Sequence, residues 1–164
     1  MRRSADDTRA LVGLLDNDIT LLDALVEENR RAQERITQGA SDSLDYAALG
    51  YTIHNLYSFL ENYLLRIAKH FENNLDYPAW HSELLDRLSS DVPGVRPRFF
   101  EPAEMGPFHE LRSFRHVFRN VYRTRLRPDK VREVQRLVPD VVTTFRRAHA
   151  RFRDILETMA QKLE

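Results

Sequence analysis

Leu111-Arg112-Ser113-Phe114-Arg115-His116-Val117-Phe118-Arg119-Asn120-Val121-Tyr122 is the stretch whose reading decides the fold. Bulky apolar residues alternate here with three arginines, a histidine, an asparagine and a tyrosine. Read at a helical period, Phe114, Val117, Phe118 and Val121 collect on one side at spacings of three and four. Arg112, Arg115, His116, Arg119 and Tyr122 fall on the other. The reading is an amphipathic helix with a core stripe and a dense cationic face, which the rest of the chain would hold in place.

Working outward, helical patterns fill the chain. Ser4 and Asp7 have capping-box spacing at the start of a first long helix, to about Thr37. Its stripe is Leu11, Leu14/Leu15, Ile19, Leu22 and Leu25/Val26; beyond Val26 the pattern turns polar, so the second half is expected to be more exposed. A second helix is predicted from Leu44 to Asn73, with Leu49, Ile53, Leu56, Leu60, Leu64, Ile67 and Phe71 inward. A third should run from Ala79 to Ser89 or Ser90, burying Trp80, Leu84 and Leu88. Asp91 to Pro102 carries three prolines and a glycine but also Val95, Phe99 and Phe100, so it reads as a loop pinned to the surface. The quoted helix is expected to begin near Pro102 to Glu104 and end before Arg127-Pro128. A short helix over Pro128 to Leu137 and a last one from Pro139 almost to Glu164 complete the chain; the last buries Val142, Phe145, His149, Phe152, Leu156, Met159 and Leu163. The fold class is therefore all-α: an antiparallel up-and-down bundle of four to five main helices plus short ones, one domain over residues 1–164.

Composition narrows the chemistry. The 164 residues are 42% hydrophobic and 30% charged, within the globular range. No cysteine is present, which removes disulfides and thiolate chemistry. Met1-Arg2-Arg3 is followed by Asp6 and Asp7 rather than an apolar run, and no apolar stretch is long enough to span a bilayer, so a cytoplasmic protein off the membrane is expected. The net charge of zero conceals a split: residues 1–109 hold 11 Lys/Arg against 18 Asp/Glu, a balance of −7. Residues 110–153 hold 13 against 4, a balance of +9. The asymmetry points either to an anionic partner, nucleic acid first, or to acidic and basic parts that face each other within a subunit or a dimer.

The six histidines form no His-x3-His pair, no Glu-x-x-His pattern exists, and no glycine-rich phosphate loop is present. The pattern thus points to no metal and no cofactor. What remains is guanidinium and imidazole chemistry around Arg112–Tyr122, which suits phosphate: arginine forks grip its oxygens and an imidazole moves protons. RNA can be cleaved without a metal, because its 2′-hydroxyl is a built-in nucleophile. On the second helix His54 and Glu61, seven apart, share a face with Tyr57 and Ser58 between them. They form either a packed helix with satisfied polar atoms or a supporting wall opposite the arginines.

Arg115-His116-Val117-Phe118-Arg119-Asn120-Val121-Tyr122 resembles the R-x4-H-x-Y signature of HEPN-domain ribonuclease toxins of the HepT type. The resemblance extends to His54-Asn55-Leu56-Tyr57, Glu61-Asn62 and Leu65-Arg66-Ile67-Ala68 on the second helix, and to Trp80-His81-x2-Leu84-Leu85. It implies a HEPN-like bundle that forms a homodimer, with two motifs in one basic cleft acting as a metal-independent endoribonuclease. It also implies a minimal nucleotidyltransferase antitoxin that attaches AMP to the motif tyrosine, here Tyr122. Arg115 would hold the scissile phosphate, with Arg112, Arg119 and Arg123 as further phosphate contacts and Arg125, Arg127 and Lys130 as a general basic rim.

The sequence departs from the motif at its proton carrier: Asn120 stands where the family has histidine. An amide has no titratable proton near neutral pH, so a factor of about 10²–10⁴ from proton transfer is lost. Either the chain is a non-cleaving relative that keeps RNA or partner binding, or it has been inactivated, or His116, four residues from Arg112 on one helix face, stands in. A helical interaction protein that binds a protein partner through its charged faces is the reading from another class.

Overall fold

The computed structural model describes residues 4–72, 80–121 and 125–164, without the side chains of 80–82. All its regular elements are helical, apart from an isolated bridge between Val92 and Arg96. In order they are α1 (Ala5–Thr37), α2 (Ser43–Phe71), α3 (Trp80–Leu88), a 3₁₀ turn (Pro102–Glu104), α4 (Gly106–Arg119), α5 (Pro128–Gln135) and α6 (Val138–Gln161). No helix among the described residues is long and apolar enough to cross a membrane.

The four longer helices run up, down, up and down. Asp18 pairs with Arg66 and Arg35 with Asp45, so α1 and α2 are antiparallel. Glu61 meets Arg115 while Gly50 meets Phe118, so α4 opposes α2. Arg9 pairs with Glu164, Asp16 with Arg153 and Asp23 with Arg146, so α6 opposes α1. The α2 stripe is the hub: Leu49, Ile53, Leu56, Leu60, Leu64 and Ile67 are all buried. Phe99, Phe100, Phe108, Phe145 and Phe152 close on it from the loop, α4 and α6. At about 25 cal/mol per Å² of apolar surface, such side chains supply most of the folding drive.

Local rules account for the helix ends. Ser4 Oγ accepts from the Asp7 amide and Asp7 accepts from the Ser4 amide, the predicted capping box. The 91–101 loop is pinned as expected, through Phe99 and Phe100. A buried arginine not anticipated also holds it: Arg96 reaches Glu72 at 3.0 Å and donates to the carbonyls of Arg87, Ser90 and Pro97.

Four expectations need correction. The quoted helix is preceded by a separate 3₁₀ turn and stops at Arg119, well before Arg127-Pro128. Asn120 ends it: its amide N–H donates to the Val117 carbonyl and its side-chain Nδ2 donates to the His116 carbonyl at 2.9 Å. Val117, assigned to the core stripe, is 53% exposed, and Leu163, assigned to the last stripe, lies past the end of α6 and is exposed. The second half of α1 is not uniformly exposed. Asn29 is buried there, donating to Thr52 Oγ1 at 2.9 Å and Gln135 Oε1 at 2.8 Å and accepting from Gln135 Nε2 at 2.8 Å. α2 ends at Phe71 and α3 at Leu88, slightly inside their predicted limits, while Asn73 and Ala79 lie outside the described residues.

Candidate nucleic-acid site

The site is built on the antiparallel α2–α4 seam. Gly50 permits the approach: a Cβ there would lie 2.9 Å from Phe118 Cε2. Phe118 stacks on Phe114 at 5.8 Å and meets the His54 ring at 5.5 Å. Two turns further along α2, Arg115 Nη2 lies 2.8 Å from Glu61 Oε2, and its guanidinium carbon stands 5.8 Å from the centre of the Tyr57 ring. His54, Tyr57 and Glu61 therefore do face α4 together, as their spacing predicts.

Arg115 departs from the expected solvent-facing array. Its side chain is 21% exposed and that of Glu61 is 6%, so this is a largely buried ion pair rather than an open guanidinium fork. Its Nε is buried with no hydrogen-bond partner, leaving donor capacity unused beside the ion pair. Tyr57 is buried, and burial pushes its hydroxyl well above the ordinary tyrosine range; Glu61 adds to that shift while Arg112 and Arg115 oppose it. It is a neutral hydroxyl at any physiological pH.

The remaining motif positions divide. His116 is exposed on α4, and Asn120 caps the helix with its amide on the His116 carbonyl. Arg112 is half-buried and Arg119 exposed. Tyr122 and Arg123 lie outside the described residues. The basic rim is partly spoken for: Arg127 pairs with Asp129 at 2.6 Å and Lys130 with Glu133 at 2.7 Å. Arg119, Arg125 and Arg136 have no acidic partner among the described residues. α4 is also tied to α3 by His109 Nε2, 3.2 Å from Asp86, a pair the sequence pattern did not flag. No cluster of three or more His, Asp or Glu placed for a metal occurs among the described residues.

A cationic helix laid on a polar and aromatic second helix is thus the core of the site. The profile of the family described as HepT-like protein matches residues 48–156, from the first turns of α2 to the last turns of α6. The chain belongs to the HepT-like family. No curated protein and no solved structure matches it. In this HepT-like chain the matched span includes the α2–α4 seam and excludes all of α1. The α1 carboxylates that pair with α6 at Arg146 and Arg153 are thus contributed from outside it.

Proposed function

We propose that this HepT-like chain is the RNA-binding component of a toxin–antitoxin pair, acting as a metal-independent endoribonuclease scaffold whose cleavage step is weak or absent. The observation that carries the reading is the state of residue 120. Asn120 stands beyond the end of α4, four positions after His116, with its amide donated to the His116 carbonyl and no proton to move. Close to it in the chain a cation remains for a phosphate: Arg119 is exposed without an acidic partner among the described residues. An exposed His116 is available to a bound strand, and is the group to suspect should cleavage be found.

The test is Asn120→His against the natural chain in RNA cleavage and growth arrest. The histidine variant should cleave and arrest growth while the natural chain does neither. A variant that does neither sinks the ribonuclease-scaffold reading, and cleavage by the natural chain should be abolished by His116→Ala. The partner in this reading is a minimal nucleotidyltransferase that places AMP on Tyr122, adding charge and bulk beside the arginines. Mass spectrometry after incubation with such an enzyme and ATP should find the adduct, and Tyr122→Phe should remove it. The homodimer that would pair two sites is tested by sedimentation of the full chain.

One observation favours a second reading, docking of a protein partner. Val117 is 53% exposed beside a groove of about 420 Å³ that Phe114, Leu126 and Val134 line between α4 and α5. Salt separates the two: binding through several phosphates weakens steeply as salt rises, and docking on an apolar groove does not.

A further inference from the structure

We propose that the outer rim of the α2–α4 seam is a nucleobase platform, in which Tyr51 stacks one unpaired base of a single-stranded RNA while Arg119 across the seam holds an adjacent phosphate. The proposal rests on the RNA-binding reading and adds to it a specific recognition element.

The placement follows from helix geometry. Gly50, His54, Tyr57 and Glu61 mark the contact line on α2, and Phe118 and Arg115 mark it on α4. One residue further along a helix is a turn of about 100°. Both helices are right-handed and they run in opposite directions, so a one-residue advance on either turns toward the same side of the seam. Tyr51, after Gly50, and Arg119, after Phe118, therefore stand on the same rim.

The exposures agree with a site open to solvent. Tyr46, Tyr57 and Tyr63 on the same helix are buried, whereas Tyr51 is 56% exposed. Arg119 is exposed with no acidic partner among the described residues. Beneath them the half-buried His54 and Phe118 rings, 5.5 Å apart and tilted by 42°, make the floor aromatic rather than aliphatic. An exposed tyrosine face and, on the same rim, a guanidinium with no acidic partner among the described residues match what an unpaired nucleotide offers: a flat π surface and a charged phosphate on one short tether. A duplex keeps its bases stacked internally and presents no such face.

The test is fluorescence anisotropy on the full chain with three labelled ligands: a mixed-sequence single-stranded RNA, its duplex, and an abasic ribose-phosphate strand of the same length. The natural chain should prefer the base-bearing single strand to both others. Tyr51→Ala should weaken binding of that strand by roughly 5- to 150-fold, the effect of removing one stacked base, and Tyr51→Phe should restore it. The alanine change should leave abasic-strand affinity and the salt slope unaltered, since every phosphate contact stays in place. Equal single-strand affinity for the natural chain and Tyr51→Ala overturns the platform and leaves the RNA-binding reading standing. So does an equal loss on base-bearing and abasic strands. If the natural chain binds none of the ligands, the RNA-binding reading itself fails, and the platform with it.

Discussion

Arg115 is the residue whose sequence signal and structural setting differ most. A motif arginine on a cationic face would be expected in water, yet here its guanidinium lies 2.8 Å from a carboxylate that is 6% exposed. The pairing changes how a substitution must be read. Arg115→Ala strips Glu61 of this cation, and breaking one side of a buried pair costs roughly 3 kcal/mol or more. Arg115→Ala should therefore lower the urea midpoint markedly, and any loss of RNA binding would be confounded with unfolding. The double change Arg115→Gln with Glu61→Gln removes both charges and should recover most of the stability; a double variant as unstable as the single would show that the pair is not what holds this site. Gly50 is a second residue that only the packed structure explains. Gly→Ala inside a helix ordinarily stabilises by about 1 kcal/mol. Here the new methyl would sit 2.9 Å from Phe118, whose ring is held between Phe114 and His54, so Gly50→Ala should instead destabilise by about 1–2 kcal/mol in urea titration. The shared face of His54, Tyr57 and Glu61 was legible from spacing. The ion pair was not, because periodicity says which side of a helix a residue takes but not which partner it meets there.

Among the elements, α4 shows where pattern reading stops. Apolar spacing continues through Val121, but the backbone turns at Asn120, whose side chain takes the His116 carbonyl and ends the helix. A capping hydrogen bond leaves no trace in a hydrophobic pattern, whereas the capping box at Ser4 does, and it was legible. The polar second half of α1 hides a similar feature. Asn29 links α1 to Thr52 on α2 and Gln135 on α5, and all three are buried. Asn29→Ala leaves the Gln135 amide without partners, so it should cost about 1–3 kcal/mol and raise hydrogen exchange in α5 more than in α6. The contact between α2 and α6 carries a pH dependence. Tyr63 Oη lies 2.7 Å from His149 Nδ1, and Nε2 lies 3.3 Å from Asp16, which suits a neutral imidazole accepting from the tyrosine and donating to the carboxylate. Burial lowers the His149 pKa, outweighing the pull of Asp16. The native state then binds fewer protons than the unfolded chain, so this contribution is intact above pH about 6.5 and is lost as pH falls below it. The stability gap between the natural chain and His149→Gln should accordingly shrink between about pH 7.5 and 5.5 in denaturant titrations. A constant gap would mean that His149 does not titrate differently in the two states.

For the whole molecule, the decisive quantity is where the excess positive charge of the later half goes. Two destinations were open from composition, an anionic partner or the chain's own acidic half, and the structure sends much of the charge to the second. Arg146 pairs with Asp23, Arg153 with Asp16, and Arg147 with Glu104, so α6 is largely neutralised by α1 and by the turn before α4. Among the described residues, Arg119 at the end of α4 and Arg125 and Arg136 after it in the chain are exposed and have no acidic partner. Composition could not divide the two sets, because pairing across α1 and α6 depends on the antiparallel register of residues more than a hundred positions apart. The division predicts how RNA binding should respond to charge removal. Deleting one cation that touches a phosphate lowers the slope of log affinity against log salt by roughly one. Arg119→Gln should thus reduce the slope by about one and weaken binding at every sequence alike, and adding Arg125→Gln should lower it further. Arg146→Gln should leave the slope unchanged, because its guanidinium already faces Asp23 at 2.6 Å. Anisotropy titrations of these variants over a series of salt concentrations decide the matter. Equal slopes for Arg119→Gln and the natural chain would remove the end of α4 from the RNA path, and a lowered slope for Arg146→Gln would move that path to the α1–α6 face.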